Sequence, residues 1–368
     1  MKLRNKILMG VATFFVVGFS ALAITVSYDS PCPPAPPLAT GAAPMRAVTQ
    51  RCYGVPDGLH LETLAKPVPT ADQVLIKVHA SSVNPAEWYG VSGKPLFVRL
   101  FGGIGAPDDI RVGYDVAGTV ESVGANVTLF KPGDEVFGGA HGALAEYVVA
   151  GEKRGIVVKP PNMTFEEAAA IPIAAITALQ GLRDQGHIGP GKRVLINGAS
   201  GGVGTYAVQI AKSFGAEVTG VCSTRNVEMV GLLGADHVID YTKANFTEGA
   251  ERYDVILDNV GNHDFSDLED VMKPNGIIIV VGGSKDDAFL GPIKRVLWSK
   301  IVQPFIDPKI TFFLAQVNKA DMELLAGLVR EGKMKTVIDK RYPLEEAGAA
   351  LEYLGGGHAR GKVVVTIN

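Results

Sequence analysis

Residues Arg193–Gly204 read RVLINGASGGVG, a short apolar run followed by a glycine-rich turn. The apolar run is typical of a β-strand and ends at Gly198, after which Gly201 and Gly204 stand three residues apart. A helical pattern begins near Val203, and a second strand pattern at Glu217–Cys222 completes a βαβ unit. Glycine lets the backbone of such a turn approach a pyrophosphate closely, and the helix N-terminus directs its free N–H groups at the phosphates. The stretch therefore predicts a dinucleotide site.

The overall composition predicts a folded protein of about two domains. The chain has 368 residues, of which 47% are hydrophobic and 20% are charged, so it can bury a sizeable core. Its net charge of −3 does not fit the basic surface of nucleic-acid-binding proteins, and no nucleic-acid partner is expected. Cys32, Cys52 and Cys222 lie far apart in the sequence, which predicts neither a disulfide framework nor a zinc cluster.

Residues 1–28 predict a membrane anchor. Three basic residues precede Ile7–Tyr28, a run without any charged residue that is long enough to cross the hydrocarbon layer. The alternative is a cleaved signal peptide of a secreted or periplasmic protein, with its cleavage site at Ala21–Ala23. Because the apolar run continues beyond that site, we expect a retained single-pass helix that makes the membrane a partner. The positive-inside tendency would place the remaining chain outside the cytoplasm, and the side of the membrane stays open.

The rest of the chain shows three kinds of pattern. Residues 29–44 are rich in proline and predict a stiff linker. Polar and apolar residues alternate in Gln73–His79, and strand patterns broken by glycine continue to about residue 160, which predicts a β-rich lobe. After Cys222, strand and helix patterns alternate and predict a doubly wound parallel sheet. The tail returns to a strand pattern at Lys362–Ile367.

Seven motifs carry a resemblance to a known family. They are VNPAEW at Val83–Trp88, GYDVAG at Gly113–Gly118, FKPGDEVFG at Phe130–Gly138, AEY at Ala145–Tyr147, GASGGVG at Gly198–Gly204, LGADHVIDY at Leu233–Tyr241 and GHARGKVVV at Gly357–Val365. In these motifs and in their order, the chain from about Met45 onward resembles the medium-chain dehydrogenase/reductase superfamily, in its zinc-free quinone-oxidoreductase branch.

The resemblance implies an α/β fold in which a Rossmann doubly wound parallel sheet is inserted between two parts of a β-rich, GroES-like catalytic lobe. Residues 45–163 and 311–368 would form the catalytic lobe, and residues 164–310 the dinucleotide-binding domain. The active site would lie in the cleft between them. The resemblance also implies a homodimer.

The resemblance further implies chemistry without a metal. Zinc-dependent relatives place a Cys, a His and a Glu at the positions of Asn84, Tyr114 and Asp115, which are a poor set of zinc ligands. Without a Lewis acid, hydride must go to an acceptor that is already electrophilic, such as a quinone or an α,β-unsaturated carbonyl. The sequence thus predicts an NADPH-dependent reductase of a small, lipophilic acceptor. The alternatives are a zinc-free alcohol or aldehyde dehydrogenase and a non-catalytic NADPH-binding membrane protein.

Asn84 and Tyr89 are the predicted catalytic residues, because they match family positions beside the nicotinamide. The Asn84 amide can donate to the acceptor oxygen or to water, and the Tyr89 phenol can donate a hydrogen bond or a proton. A solvent proton is the rival to Tyr89. In purely structural roles, Asn84 would form a turn before Pro85 and Tyr89 would only pack.

Further residues are predicted to bind the cofactor. They are Thr177, Gly198, Ser200, Gly201, Gly202, Val203, Gly204, Ser223, Thr224, Arg225, Tyr241 and Lys362. Structural roles are open for three of them: Thr177 as a helix hydroxyl bonded to its own backbone, Tyr241 as an aromatic at a strand edge, and Lys362 as a solvated tail charge.

The end of the second strand of the βαβ unit predicts NADPH over NADH. NAD-preferring units place an acidic residue there, and Cys222–Asn226 contains none. Ser223 and Thr224 can donate hydrogen bonds to a 2′-phosphate, and Arg225 can pair with its charge. The alternative is an idle arginine at the N-terminus of a surface helix.

Overall fold

A computed structural model describes residues 20–283 and 287–367, and it confirms the mixed α/β fold. The strands are β1 Pro44–Gln50, β2 Leu59–Ala65, β3 Gln73–Val83, β4 Asp115–Val123, β5 Glu135–Gly139, β6 Tyr147–Gly151, β7 Ile156–Val158, β8 Arg193–Asn197, β9 Glu217–Cys222, β10 His237–Asp240, β11 Tyr253–Asp258, β12 Met272–Val280, β13 Lys309–Phe312, β14 Ile338–Pro343 and β15 Lys362–Thr366. The helices are α1 at residues 20–27, α2 Pro85–Ser92, α3 Arg99–Gly102, α4 Phe165–Ala169, α5 Pro172–Gln180, α6 Gly202–Ser213, α7 Val227–Leu232, α8 Phe265–Glu269, α9 Pro292–Val302, α10 Lys319–Arg330 and α11 Ala347–Gly355.

The β-rich lobe combines the N-terminal half of the chain with its tail. Its larger sheet has the order β14-β15-β3-β4-β5-β7, and β6 also pairs with β3. The alternation in β3 places Val74, Ile76 and Val78 in the core, as the period of two predicts. In the tail, β15 pairs antiparallel with β3, so that Val363 lies opposite Val83. This pairing brings the start of β15 to the end of β3, where the predicted catalytic Asn84 follows.

The dinucleotide-binding domain contains the predicted parallel sheet, in the order β10-β9-β8-β11-β12-β13. The order reverses direction between β8 and β11, which is the switch point at which doubly wound sheets bind ligands. The glycine-rich turn follows β8 at this point, and α6 begins directly after it at Gly202. The sheet includes β13, so it extends to Phe312.

The tail also connects the two lobes. The Gly361 N–H donates to the Ser200 carbonyl at 2.8 Å, and Gly361 forms an isolated parallel bridge with Gly201. Because Lys362 comes next, the strand that completes the catalytic lobe starts at the glycine-rich turn of the other lobe. The fold therefore brings the ends of β3, β8 and the tail together.

The prediction of a single-pass N-terminal anchor, and of the membrane as a partner, is corrected. In the part of the chain that the structure describes, no helix combines the length and the apolar character that a membrane crossing needs. Residues 1–19 of the expected anchor lie outside the described residues. Val26, at the other end of the predicted span, is fully buried, and its carbonyl accepts a hydrogen bond from Arg99. The apolar pattern here includes a residue that packs against the protein itself.

The expectation that the cysteines form no disulfide is also wrong. Cys32 and Cys52 are joined, with their Cα atoms 5.0 Å apart. Before Cys32, the Ser30 N–H donates to the Gly105 carbonyl at 2.8 Å and Asp29 pairs with Arg99 at 2.8 Å. The disulfide joins the N-terminal segment to the loop after β1, and the other two contacts join it to α3 and the loop that follows α3. Sequence spacing alone cannot reveal such docking.

Candidate functional site

A buried polar cluster lies where β3, β4 and β15 meet. It consists of Asn84, Asp115, Lys362 and Ser82, all nearly inaccessible to solvent. The Asn84 amide donates from Nδ2 to Asp115 Oδ2 at 2.9 Å, and Ser82 donates to the same oxygen at 2.7 Å. The Lys362 ammonium donates to Asn84 Oδ1 and lies 3.4 Å from Asp115 Oδ2. We call these four residues the junction cluster.

The partners of Asn84 fix the orientation of its amide. Lys362 can only donate and the Asp115 carboxylate can only accept, so Oδ1 must face the ammonium and Nδ2 the carboxylate. An amide nitrogen carries two N–H groups, and Asp115 uses one of them. The second N–H is the group that Asn84 can offer to a ligand. The predicted role of Asn84 as a donor is therefore chemically available in this geometry.

Glu87 is a functional candidate that the sequence reasoning missed. Its Oε2 accepts the Asn84 backbone N–H at 2.8 Å, while its Oε1 is buried without a partner among the described residues. Burial, and secondly the charge of Asp115, raise the pKa of Glu87 from 4.5 to about 8. The carboxyl is thus mainly protonated at neutral pH, and it lies in the first turn of α2, whose N-cap is Asn84. The signal was available, since Glu87 lies inside the VNPAEW motif.

Tyr89 lies on α2, one turn after Asn84. Its ring is half-buried and meets Trp88 edge to face, with the centroids 5.3 Å apart. Within residues 20–283 and 287–367, its hydroxyl has no hydrogen-bond partner, and burial raises its pKa. The phenol therefore keeps its proton at neutral pH and can donate it or a hydrogen bond. Tyr114, at a position where zinc-dependent relatives place a ligand, is also a half-buried phenol whose burial raises its pKa.

The glycine-rich turn has the shape that a bound pyrophosphate requires. Gly198 has a φ of +78°, and a Cβ there would lie 2.8 Å from Val260. A Cβ on Gly204 would lie 2.1 Å from the Gly198 carbonyl oxygen, so α6 can approach β8 only with glycine at this position. A Cβ on Gly201 would meet the Gly198 carbonyl oxygen at 3.5 Å, an ordinary contact distance, so this position is less crowded than the other two. Val203 lies in the first turn of α6, which begins at Gly202 within the glycine-rich turn, so the free N–H groups of the helix N-terminus belong to that turn.

Two amides beside the turn have buried oxygen atoms that fit a polar ligand. Asn226 donates to Ser200 Oγ at 3.0 Å, and Asn259 donates to the Asn197 carbonyl at 2.9 Å. The Oδ1 atoms of Asn226 and Asn259 are buried and lack a partner among the described residues. Buried acceptors without a partner are costly, and a donor on a bound molecule would satisfy them. The residues around the turn therefore fit a dinucleotide.

The residues at the end of β9 contact the tail and the end of β10. Arg225 is exposed and donates to the His358 carbonyl at 2.8 Å. Ser223 Oγ accepts a hydrogen bond from the Asn226 amide at 3.1 Å. The Thr224 hydroxyl donates to Asp240 at 2.6 Å, and this hydrogen bond is the main cause that lowers the pKa of Asp240. The sequence reasoning missed this neighbouring acid because it lies on the next strand.

The remaining predicted cofactor residues occupy different environments. Thr177 lies on α5, half-buried, with its hydroxyl bonded to the Ile173 carbonyl at 2.7 Å, which is the structural alternative. Tyr241 is 60% exposed, and its N–H binds the Cys222 carbonyl at the carboxyl end of β9. Lys362 is not a solvated tail charge, because it is 97% buried, with a relative exposure of 3%. Its Cδ lies 3.2 Å from where a Cβ on Gly202 would stand, so its stem runs beside the glycine-rich turn.

Asp258 is a second buried acid that sequence reasoning did not single out. It ends β11 beside the turn and accepts hydrogen bonds from the Asn197 amide and the Gly261 N–H, both at 2.9 Å. Arg295 on α9 neutralises its charge at 2.7 Å. The sequence could have indicated this residue, because it directly follows the apolar run of β11 and so lies at the same edge of the sheet as the glycine-rich turn.

Comparisons with known proteins agree with this geometry. A family model described as an alcohol dehydrogenase GroES-like domain matches residues 70–162, and one described as a zinc-binding dehydrogenase matches residues 233–365. The chain is 37% identical to the chloroplast envelope quinone oxidoreductase homolog of Arabidopsis thaliana, over 87% of this chain and 98% of that protein. It is 36% identical to the 2-methylene-furan-3-one reductase of Solanum lycopersicum, over 87% and 79%. The structure of the quinone oxidoreductase from Coxiella burnetii matches with a TM-score of 0.76 at 30% identity, over 89% of this chain and 100% of that one.

Proposed function

Because the chain belongs to the medium-chain dehydrogenase/reductase superfamily, in its quinone-oxidoreductase-like branch, we propose that it reduces a quinone or an α,β-unsaturated carbonyl at the expense of NADPH. The chain is an oxidoreductase with a nicotinamide-binding fold. Its relatives include a quinone oxidoreductase homolog and a reductase of 2-methylene-furan-3-one, which is itself an α,β-unsaturated ketone. These two acceptor classes share an electrophilic carbon conjugated to a carbonyl oxygen.

The observation that carries the proposal is the position of the junction cluster beside the glycine-rich turn. When bound, NADPH supplies the hydride. Asn84 would donate its second N–H to the acceptor oxygen, where negative charge develops. Lys362 adds a positive charge next to that amide, in a site from which water is excluded. Tyr89 carries a proton that it can give to the reduced product, with solvent as the alternative source.

The same cluster supports a reaction that needs no catalytic zinc. Zinc is bound by thiolates, neutral imidazoles and carboxylates, and of these only Asp115 is present at the three positions. Asp115 is already engaged by Lys362, Asn84 and Ser82. A second cation would have to displace a buried ammonium that lies 3.4 Å from the carboxylate. The donor set is therefore complete with Lys362 as its cation.

The preference for NADPH rests on the residues at the end of β9. No acid stands among them to accept the ribose hydroxyls, and Arg225 supplies a positive charge at the surface. Asp240 opposes this preference, because its carboxylate, which accepts a hydrogen bond from Thr224, places a negative charge in the same small region. Lys243 offsets part of that charge, with its Nζ 3.3 Å from Asp240. The arginine is thus the residue expected to distinguish the two cofactors.

The proposal is tested by the oxidation of NADPH with a panel of quinones, a panel of enals and enones, and simple aldehydes. We expect turnover with the first two panels, and a fall of kcat/KM by about 10–1000-fold in Asn84→Ala, since a donor to the developing oxyanion is lost. The control is Asn126→Ala, because this exposed amide binds Asp72 far from the junction cluster. Turnover of simple aldehydes alone would identify an aldehyde reductase instead. Tight NADPH binding without turnover of any acceptor would identify a non-catalytic protein.

A further inference from the structure

Three side chains with soft or borderline metal-ligand atoms lie together outside the junction cluster. They are Cys32, in the proline-rich segment, Cys52, in the loop after β1, and His60, in β2. Their two sulfur atoms and one imidazole nitrogen all lie within 4.8 Å of one another. We call them the Cys32–Cys52–His60 cluster.

The cluster is held together by contacts that do not depend on the disulfide bond. Two contacts lie just before Cys32 on the N-terminal side. Asp29, three residues before it, pairs with Arg99 at 2.8 Å, and the N–H of Ser30, two residues before it, donates to the Gly105 carbonyl at 2.8 Å. Arg99 is 4% exposed, so this ion pair has a buried partner. Breaking the S–S bond therefore leaves the N-terminal segment docked.

The other two members of the cluster are positioned by the β1–β2 hairpin. In its antiparallel register, His60 lies opposite Thr49, and Cys52 follows a few residues beyond Thr49. After Cys52, the Gly54 N–H binds the Val91 carbonyl at 2.9 Å and fixes the loop to α2. His60 and Cys52 thus keep their separation whether the disulfide is present or not.

We propose that reduction of the Cys32–Cys52 disulfide opens a zinc site formed by Cys32, Cys52 and His60. A dithiol reductant transfers two electrons by thiol–disulfide exchange: the S–S bond breaks, two cysteine thiols form with two protons, and the reductant leaves as its own disulfide. Cys32 is exposed, so the attacking thiolate can reach its sulfur. Zinc binding then releases the two thiol protons, and the metal replaces the disulfide as the link between the N-terminal segment and the catalytic lobe.

The donor set selects zinc among common divalent cations. Two thiolates and one imidazole suit zinc and exclude magnesium and calcium, which take oxygen ligands. In a tetrahedral site with Zn–S of about 2.3 Å and Zn–N of about 2.0 Å, neighbouring ligand atoms lie about 3.4–3.8 Å apart. Once the disulfide is reduced, the two sulfur atoms are no longer bonded and can separate to this spacing by rotation of their side chains. The fourth position is left for water.

The site is separate from the chemistry proposed for the junction cluster. Its members lie on the N-terminal segment and the β1–β2 hairpin. Within the described residues, none of them forms a hydrogen bond or an ion pair with Asn84, Asp115 or Lys362. Zinc at this site would therefore link the N-terminal segment to the catalytic lobe without taking part in the hydride transfer.

The test uses the full chain, reduced with a phosphine and kept anaerobic, and titrated with Co²⁺ and then Zn²⁺. We expect one Co²⁺ per reduced chain, with thiolate-to-cobalt and tetrahedral d–d absorption bands, displaced by Zn²⁺, and no such bands in the oxidised chain. Cys32→Ser should abolish the bands although Cys52 and Cys222 remain. His60→Ala should weaken the affinity at least about tenfold and shift the d–d bands, because one of three protein ligands is lost.

The control variant is His237→Ala, which removes another exposed imidazole, from the start of β10. It should bind Co²⁺ as the reduced wild type does. Unchanged Tm values for Cys32→Ser and His60→Ala in the reduced, metal-free state would show that both variants fold. Equal metal uptake by the reduced wild type and Cys32→Ser would overturn the proposal, as would an unchanged affinity and spectrum in His60→Ala. These readouts are independent of whether the chain reduces quinones.

Discussion

Replacing Glu87 with Gln should remove most of the loss of stability that the protein undergoes between pH 5 and 8. The Glu87 carboxyl is buried at Oε1 without a partner in the described part of the chain, and Oε2 accepts the Asn84 N–H at 2.8 Å. Burial and the nearby Asp115 raise its pKa to about 8. Glutamine has nearly the same shape as the protonated acid and cannot ionise.

The sign of the effect follows from the protons bound in each state. Between pH 4.5 and 8, the unfolded chain has lost the Glu87 proton while the folded chain still holds it, so the free energy of unfolding falls as pH rises. The stabilisation is fully present below about pH 4.5 and is lost through about pH 8. A pKa of 4.5 unfolded and about 8 folded, at about 1.36 kcal/mol per pH unit, corresponds to about 5 kcal/mol. Most of this change, about 3.5 kcal/mol, falls between pH 5 and 8.

The assay is urea unfolding of the wild type, Glu87→Gln and Glu228→Gln at pH 5, 6, 7 and 8. Glu228 is an exposed acid in α7, so its variant should follow the wild type at every pH. The free energy of unfolding of Glu87→Gln relative to the wild type should rise steadily with pH. Parallel curves for the wild type and Glu87→Gln would refute the reasoning, because the carboxyl would then titrate equally in both states.

Two further predictions concern the proposed reaction. Chelators should leave the NADPH-dependent activity unchanged, because Asn84, Tyr114 and Asp115 offer one zinc ligand in place of three; activity that disappears together with a stoichiometric metal, and returns with it, would contradict this. Arg225→Glu should raise the KM for NADPH at least about tenfold and change the KM for NADH little, since a charge pair with the 2′-phosphate becomes a repulsion. Arg252→Glu, at an exposed arginine before β11, is the control, and an equal effect on both cofactors would argue against a phosphate contact at Arg225.

The sequence by itself determined the dinucleotide-binding unit, and the reason is that its signals are local. The apolar run of β8, the glycine spacing and the start of α6 lie within about 20 consecutive residues, and each is set by backbone geometry and the period of the side chains. The same holds for β3, whose alternation predicted its buried face. The resemblance then extended this to the two-lobed architecture, which the pairing of β15 with β3 confirms.

Only the tertiary structure decided which distant residues share a site. Lys362 meets Asn84 and Asp115 across 278 and 247 residues of sequence, and no local pattern specifies that meeting. Packing of the tail against β3 and the glycine-rich turn buries all three groups, so that they must hydrogen-bond within the protein instead of with water. The raised pKa of Glu87 has the same origin, because burial rather than residue type shifts a carboxyl.

The N-terminal segment shows why the apolar composition of residues 1–28 led to the wrong prediction of a membrane anchor. Burial of an apolar run is favourable both in lipid and against protein. Hydropathy alone therefore cannot distinguish a membrane anchor from a segment that packs on the protein. Val26 is buried against the catalytic lobe because Arg99, Gly105 and Cys52 lie where this segment can bind them. Those partners are brought together only when the lobe folds, so no local sequence pattern indicates that the N-terminal segment binds there.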